Sequence, residues 1–278
     1  MTCIENAPLS GEQVRRYLDR IGLSDVPASA QPSVELLDRL VCAHQLSVPF
    51  STADIALRPV TPSLELDALY KKLVEDEHGG YCFELNKLFE KLLLSLGFDV
   101  RPCLSRSVRG REQTAPINHR GELVSVEGTL RFADVGFGGP ICAKSIPVGD
   151  GAEVNDGTYR FICQKHDATW WRLDRVTGGA GDIFGDAYEV RRQTELMFCE
   201  ALVEDKDFNL LSLALSQPGS LFHDHLIVNL RTPGGYIGIK DMVMKVRSVE
   251  GTQEQAFETE AQRAARMREL VGFAPYEE

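Results

Sequence analysis

A thiol attacks an acyl group only as thiolate, so a cysteine that does chemistry needs a feature that favours its negative charge, a helix N-terminus or a neighbouring imidazolium. Cys82 follows Gly79-Gly80-Tyr81, and Cys82, Leu85, Phe89, Leu92, Leu93 and Leu96 keep helical spacing up to Gly97. The cysteine therefore falls in the first turn of a helix, at the positive end of its dipole. The glycines before it let the backbone turn sharply and approach a substrate closely, and amide N–H groups at the helix start can hold a developing oxyanion. A base and a group that orients it are needed next. Asn118-His119 precedes the apolar run Leu123 to Val126, and the following run, Leu130 to Ala133, ends at Asp134. With Gly128-Thr129 as the turn, a hairpin brings His119 and Asp134 to the same end. An aspartate there can bond one imidazole nitrogen and leave the other for the thiol. Each residue also has a plainer reading alone: a small buried cysteine, an unremarkable histidine, a turn-forming aspartate before glycines.

The elements that must position these groups change character along the chain. Up to residue 97 the pattern is helical. Ser10 with Gln13 forms a capping box before Val14, Tyr17, Leu18 and Ile21, and Gly22 supplies the stop. A second helix is expected from Ser33 to before Pro49, and a third from Ser63 or Asp67 through Leu73. From Asp99 onward short β-like runs alternate with turns, which predicts an antiparallel sheet or barrel. Strands are expected at Tyr159 to Cys163, Ala168 to Leu173, Glu195 to Leu202, His223 to Leu230, Gly235 to Ile239 and Met242 to Val246, and a last helix from about Gln253 to Val271. The fold class is α+β.

With 278 residues, 43% hydrophobic and 26% charged, the chain can bury a sizeable core. No basic segment leads into an apolar run at the N-terminus, and no apolar stretch reaches the length of a membrane span, so a cytoplasmic protein is expected. The seven cysteines are odd in number, dispersed and without a Cys-x-x-Cys pair, as expected of reduced thiols. A net charge of −11 argues against nucleic acid as a partner, and an anionic co-substrate would need a local basic patch.

The run Gly79-Gly80-Tyr81-Cys82-Phe83-Glu84-Leu85-Asn86 resembles the Arg-Gly-Gly-x-Cys-Phe-Glu-x-Asn motif of arylamine N-acetyltransferases, and Asp134-Val135-Gly136-Phe137-Gly138 resembles their Asp-(Val/Ala)-Gly-Phe-Gly. The likeness continues at Tyr17 to Gly22, Val48-Pro49-Phe50 and Ser216 to Phe222, covering essentially the whole chain. It implies Cys82 as acyl acceptor, His119 as general base and Asp134 as its orienter. It further implies a helical bundle over 1–97, a β-barrel over 98–204 and an α/β lid over 205–278. Acetyl-CoA would be a co-substrate rather than a resident cofactor, and a small aromatic amine or hydrazine the acceptor. Phe137 and Gly138 would line the substrate pocket, with Ser216, Gly219 and Ser220 near the CoA.

Several positions depart from that pattern. His78 stands where the family has Arg, and Ser51-Thr52 where it has Glu-Asn; loss of both partners of an ion pair, leaving neutral groups, accounts for this. Arg120, Gly121 and Glu122 replace mostly apolar residues and point to an altered pocket rim or strand start. His223-Asp224-His225 on a strand, and Cys163 with His166, have ligand-like spacing but no further ligands nearby, so no metal is expected. Trp170-Trp171 reads as packing. A thioester hydrolase, an amide synthase or cyclase, and a catalytically silent aromatic-ligand binder are the rival readings.

Overall fold

Each of the first two helices starts where a serine oxygen accepts an otherwise orphaned amide. In the computed structural model, which describes residues 8–111, 115–178, 191–248 and 250–272, Ser10 caps α1 (Gly11–Arg20) with both arms of the capping box formed, and Ser33 caps α2 (Val34–Ser47). The short strand β1 (Phe50–Ser51) and helix α3 (Ala53–Leu57) follow. The expected third helix runs as α4 (Leu66–Tyr70) and then widens into a π-helical turn, Lys71–Glu75. Helix α5 (Cys82–Ser95) is central: every residue from Cys82 to Leu93 is buried. It lies against β2 (Asp99–Ser107) and β3 (His119–Val126), so one apolar core joins helices and sheet through residues such as Leu85, Leu88, Val124 and Val135.

The strands β4 (Thr129–Ala133), β5 (Ile146–Pro147), β6 (Ala152–Asn155), β7 (Arg160–Lys165), β8 (Trp170–Thr177) and β9 (Arg191–Cys199) complete an antiparallel sheet of order β5-β4-β3-β2-β9-β8-β7-β6. Its edge strands β5 and β6 touch, which curls it into a nearly closed barrel. The interior is filled by Phe132, Phe198, Phe161, Leu173 and Leu196, with Phe132 and Phe198 stacked at 4.4 Å. The β3–β4 hairpin turns at Glu127-Gly128, both at positive φ, and Thr129 already pairs with Val126. The turn is thus one residue earlier than the sequence indicated, because a two-residue hairpin turn of this hand needs positive φ at both central positions.

Beyond residue 205 come α6 (Asp207–Leu215), α7 (Leu221–Asp224) and the strands β10 (Ile227–Thr232), β11 (Gly235–Lys240), β12 (Val243–Ser248) and β13 (Gly251–Ala256), then α8 (Glu260–Val271). Strand β1 adds to this second sheet, in the order β1-β10-β11-β12-β13, through Phe50 opposite Asn229. Two expectations are corrected here. His223-Asp224-His225 is not strand: Ser220 caps a helical turn at 221–224 through the His223 amide, and His223 and His225 bond Asp224 and Asp241 separately. Residues 251–256 pair with β12 as strand, so the last helix begins only where Thr259 caps it. Among the described residues no helix is long and apolar enough to cross a membrane.

Candidate active site

The fold brings Cys82, His119 and Asp134 together across the seam between α5 and the barrel. Asp134 Oδ2 lies 2.7 Å from His119 Nε2 and both side chains are buried; Cys82 is close enough to bias the charge on the imidazole, and its thiol donates to the Asn118 carbonyl at 3.9 Å. Burial works against a charge on His119, but the Asp134 carboxylate, its hydrogen bond and the thiol outweigh it and push the imidazole up to about 10. Phe137 sets its ring edge-on to His119 at 5.6 Å.

Asp134 is itself fixed. Its Oδ1 accepts from Gly136 N at 2.8 Å and from Asn86 Nδ2 at 3.0 Å, while its carbonyl accepts from Gln45 Nε2 at 2.8 Å. Asn86 also donates to the Arg120 carbonyl and accepts from Val135 N, so it ties both barrel strands to the cysteine helix. Asn86 stands four residues after Cys82, on the same helix face. That spacing was a legible signal of its role; Gln45, far away in sequence, gave none. Gly136 permits the close approach, since a Cβ there would sit 2.9 Å from Cys82 Cα.

Of the two glycines before the cysteine, Gly80 has a local use in the helix cap. A Cβ on Gly80 would meet Glu84 Oε2 at 3.0 Å, and that oxygen accepts the Tyr81 amide at 3.0 Å. Gly80 makes room for the cap of α5, and the Tyr81 N–H is committed to Glu84 rather than free for an oxyanion. The departures at 78 and 51 also look different in three dimensions. Ser51 is buried and His78 half-buried, and the helix start is not neutral: Lys72 Nζ, on the π-helical turn, bonds Glu84 Oε1 at 2.7 Å and the Asp54 carboxylate on α3.

Arg120 and Glu122 form no pocket rim. Both are fully buried on β3, where the Arg120 guanidinium bonds Glu122, Glu90 and Asp205 at 2.7–2.8 Å, with Lys91 beside them. This ion cluster, closed over by the Phe208 ring, fastens α5 to the barrel.

Cys82 and His119 open onto a cleft of ≈ 1130 Å³ between the barrel and the second sheet. Phe50, Phe137, Phe222 and Tyr236 give it aromatic walls. Among the described residues, Arg109, Arg111, Lys240, Lys245 and Arg247 line it against two acids, Asp241 and Glu254. Arg109, which sequence reasoning missed, stacks 4.6 Å over Phe137 and donates to the carbonyls of Phe137 and Gly138 at 2.7 and 3.0 Å. Gly138 has φ +65°, and the Phe50 ring covers the place where its side chain would be. Of the three residues assigned to CoA, Ser220 lines the cleft. Ser216 is buried, with its hydroxyl on the Ser212 carbonyl, and Gly219 is exposed with its amide on Asp224.

A buried thiol, imidazole and carboxylate at a helix–barrel seam, open to a cleft with aromatic walls, define the class: a helical bundle set against an antiparallel barrel with a candidate Cys–His–Asp site between them. The profile of the family described as N-acetyltransferase matches residues 33–273, and the chain belongs to this family. A Salmonella typhimurium arylamine N-acetyltransferase / N-hydroxyarylamine O-acetyltransferase is 37% identical over 150 residues, which are 50% of this chain and 53% of that protein. Proansamycin X synthase of Amycolatopsis mediterranei is 29% identical over 59% of this chain and 64% of its own, so the chain spans about half to two thirds of these two relatives. An arylamine N-acetyltransferase of Mycolicibacterium smegmatis is 28% identical over 88% of this chain and 86% of its own length. Among solved structures, the Salmonella typhimurium enzyme superimposes with a TM-score of 0.84 at 25% identity, covering 98% of this chain and 94% of that one.

Proposed function

We propose that this chain is an arylamine N-acetyltransferase that carries an acetyl group from acetyl-CoA on Cys82 to an arylamine, arylhydrazine or N-hydroxyarylamine. The observation that carries the reading is the opening of Cys82 and His119, backed by Asp134, onto one cleft whose walls are aromatic and whose charge is positive in a protein of net −11. Aromatic walls suit an aryl acceptor. The excess of cations suits the phosphates of CoA, with Ser220 at the edge.

In this reading His119 takes the thiol proton and holds it as imidazolium against Asp134. The Cys82 sulfur adds to the thioester carbonyl, and the C–S bond to CoA breaks as His119 returns the proton to the departing thiolate. One thioester replaces another at little cost. The amine then adds to the Cys82 thioester, His119 accepts the proton lost by nitrogen, and the thiolate leaves. Arg109 holds the Phe137–Gly138 backbone that forms the acceptor wall. Residues 1–97 supply the nucleophile, 98–204 the base and its orienter, and 205–278 the cover of the cleft. The six described cysteines are all free thiols, in keeping with a cytoplasmic location.

The test is brief exposure to acetyl-CoA followed by intact and peptide mass analysis, then addition of an arylamine. One acetyl group on the peptide containing Cys82, discharged by amine and slow to leave in water, supports the reading. Equally rapid discharge by water makes the protein a thioester hydrolase. The likeness to Proansamycin X synthase gives an amide synthase as the second reading, and acylation by larger acyl thioesters in preference to acetyl-CoA would favour it.

A further inference from the structure

The first turn of α5 carries a charge that the transfer chemistry itself does not call for. Glu84 lies two residues after Cys82 with its side chain 2% exposed, and an ionised carboxylate there opposes negative charge on the sulfur. Its local use is clear, since Oε2 accepts the Tyr81 amide at 3.0 Å and fixes the residue before the thiol. What makes it tolerable is Lys72, whose Nζ stands 2.7 Å from Glu84 Oε1 and also bonds Asp54. The wider π-helical turn presents this ammonium inward, while neighbouring Lys71 is drawn to Asp76 at the surface. Around the same point the His78 amide donates to the Lys72 carbonyl at 2.9 Å, and Gly80 exchanges hydrogen bonds with Pro49 and Ser51 across β1. One ammonium thus joins α3, the π-helical turn and the start of α5.

We propose that Lys72 is a positioning residue for acyl transfer: it keeps Glu84 ionised in the cap that fixes Tyr81 and Cys82, and it cancels the field of that carboxylate at the thiol. The proposal rests on Cys82 being the nucleophile. The other charges near the thiol are His119, with Asp134 behind it, from the barrel and Arg109 from the cleft; Glu84, two residues after Cys82 on α5, stands with Lys72 and Asp54 on the helix side. With Asp54 counted, this cluster carries one net negative charge; removing Lys72 makes it more negative, and removing the Glu84 charge makes it neutral. The two changes therefore push the thiolate in opposite directions, which a merely structural brace would not do.

The experiment is iodoacetamide labelling of Cys82, located by peptide mass, from pH 5 to 10 in the full-length wild type, Lys72→Met, Lys72→Arg, Glu84→Gln and Lys72→Met/Glu84→Gln. The midpoint should rise by roughly one pH unit in Lys72→Met and fall by a similar amount in Glu84→Gln, as expected for a unit charge within about 10 Å at an effective dielectric constant of about 20. It should return close to wild type in the double variant and stay there in Lys72→Arg. Acetylation of Cys82 at pH 7 should slow about tenfold in Lys72→Met. An unmoved midpoint in Lys72→Met, or singles that shift the same way, overturns the proposal. Should Lys72→Met not fold, Glu84→Gln and the double variant decide: an unmoved or raised midpoint in Glu84→Gln overturns it equally. Wild-type Cys82 that resists labelling at every pH would remove the nucleophile reading itself, and this proposal with it.

Discussion

Replacing Asp134 by Asn separates the orienting role of this residue from its size. Two donors, Gly136 N and Asn86 Nδ2, already point at Oδ1. The new amide must keep its oxygen there and turn its NH2 toward His119 Nε2, which is 2.7 Å from Oδ2 in the native site. An NH2 group only donates, so Nε2 must become the acceptor and the imidazole proton moves to the nitrogen that faces the thiol. The base is then blocked although nothing has moved. Single-turnover acetylation, followed by CoA release, should fall by about 10³–10⁴-fold. Stability changes as well. Burial alone disfavours the charged imidazole, and the carboxylate raises it from 6.5 to about 10, a difference worth at most about 5 kcal/mol at 1.36 kcal/mol per unit. Because the folded value is the higher one, this stabilisation is whole below about pH 6.5 and is lost as pH rises through about 10. Urea melts at pH 6, 8 and 10 should therefore show the gap between wild type and Asp134→Asn narrowing as pH rises. A gap that widens with pH, or acetylation within tenfold of wild type, would refute the reasoning.

Cys82→Ala should accept no acetyl group from acetyl-CoA yet keep a native circular dichroism spectrum, because only a sulfur is lost from a buried site. Arg120→Met should lower the unfolding free energy by about 3–5 kcal/mol in urea titration, since Glu90, Glu122 and Asp205 lose the guanidinium that joins them; a loss under 1 kcal/mol would show that Lys87 and Lys91 suffice. Gly136→Ala should cost about 1–3 kcal/mol and also depress acetylation, because its Cβ would press on Cys82 Cα and Asn86 Nδ2 at 2.9 Å. Gly128→Ala, at a hairpin turn with open space but φ +73°, should cost stability alone, so comparing the two rates tests whether the Gly136 contact is specific to the site.

Much of the candidate site was legible because it is built from local rules. Cys82 opens α5 where the apolar rhythm begins, and His119 and Asp134 fall at one end of a hairpin whose register follows from its two-residue turn. The capping serines Ser10 and Ser33 were equally plain, since a cap depends on residues three apart. Where neighbours competed, reading failed. Residues 223–226 are strand-like, yet Ser220 captures the His223 amide and closes a helical turn through Asp224, so the strand starts only at Ile227. Residues 251–256 are polar enough for a helix start, but the β12 ladder claims them.

Other features had no local cause at all. Arg120 and Glu122 read as surface residues on any scale of polarity, and only the arrival of Glu90 from α5 and Asp205 from beyond the barrel makes their burial tolerable. Gln45 and Arg109 reach the site from segments with no motif, through hydrogen bonds to backbone carbonyls that any sequence would offer. Lys72 looks like one of a surface pair until a π-helical turn sends it inward to Glu84 and Asp54. The sequence by itself determined which residues are the candidates for chemistry and which elements carry them, because helix starts and hairpins are set by residues close along the chain. Only the tertiary structure decided which charges neutralise one another and what surrounds the thiol, because those energies depend on distance through space and on the water removed when the helices close against the barrel.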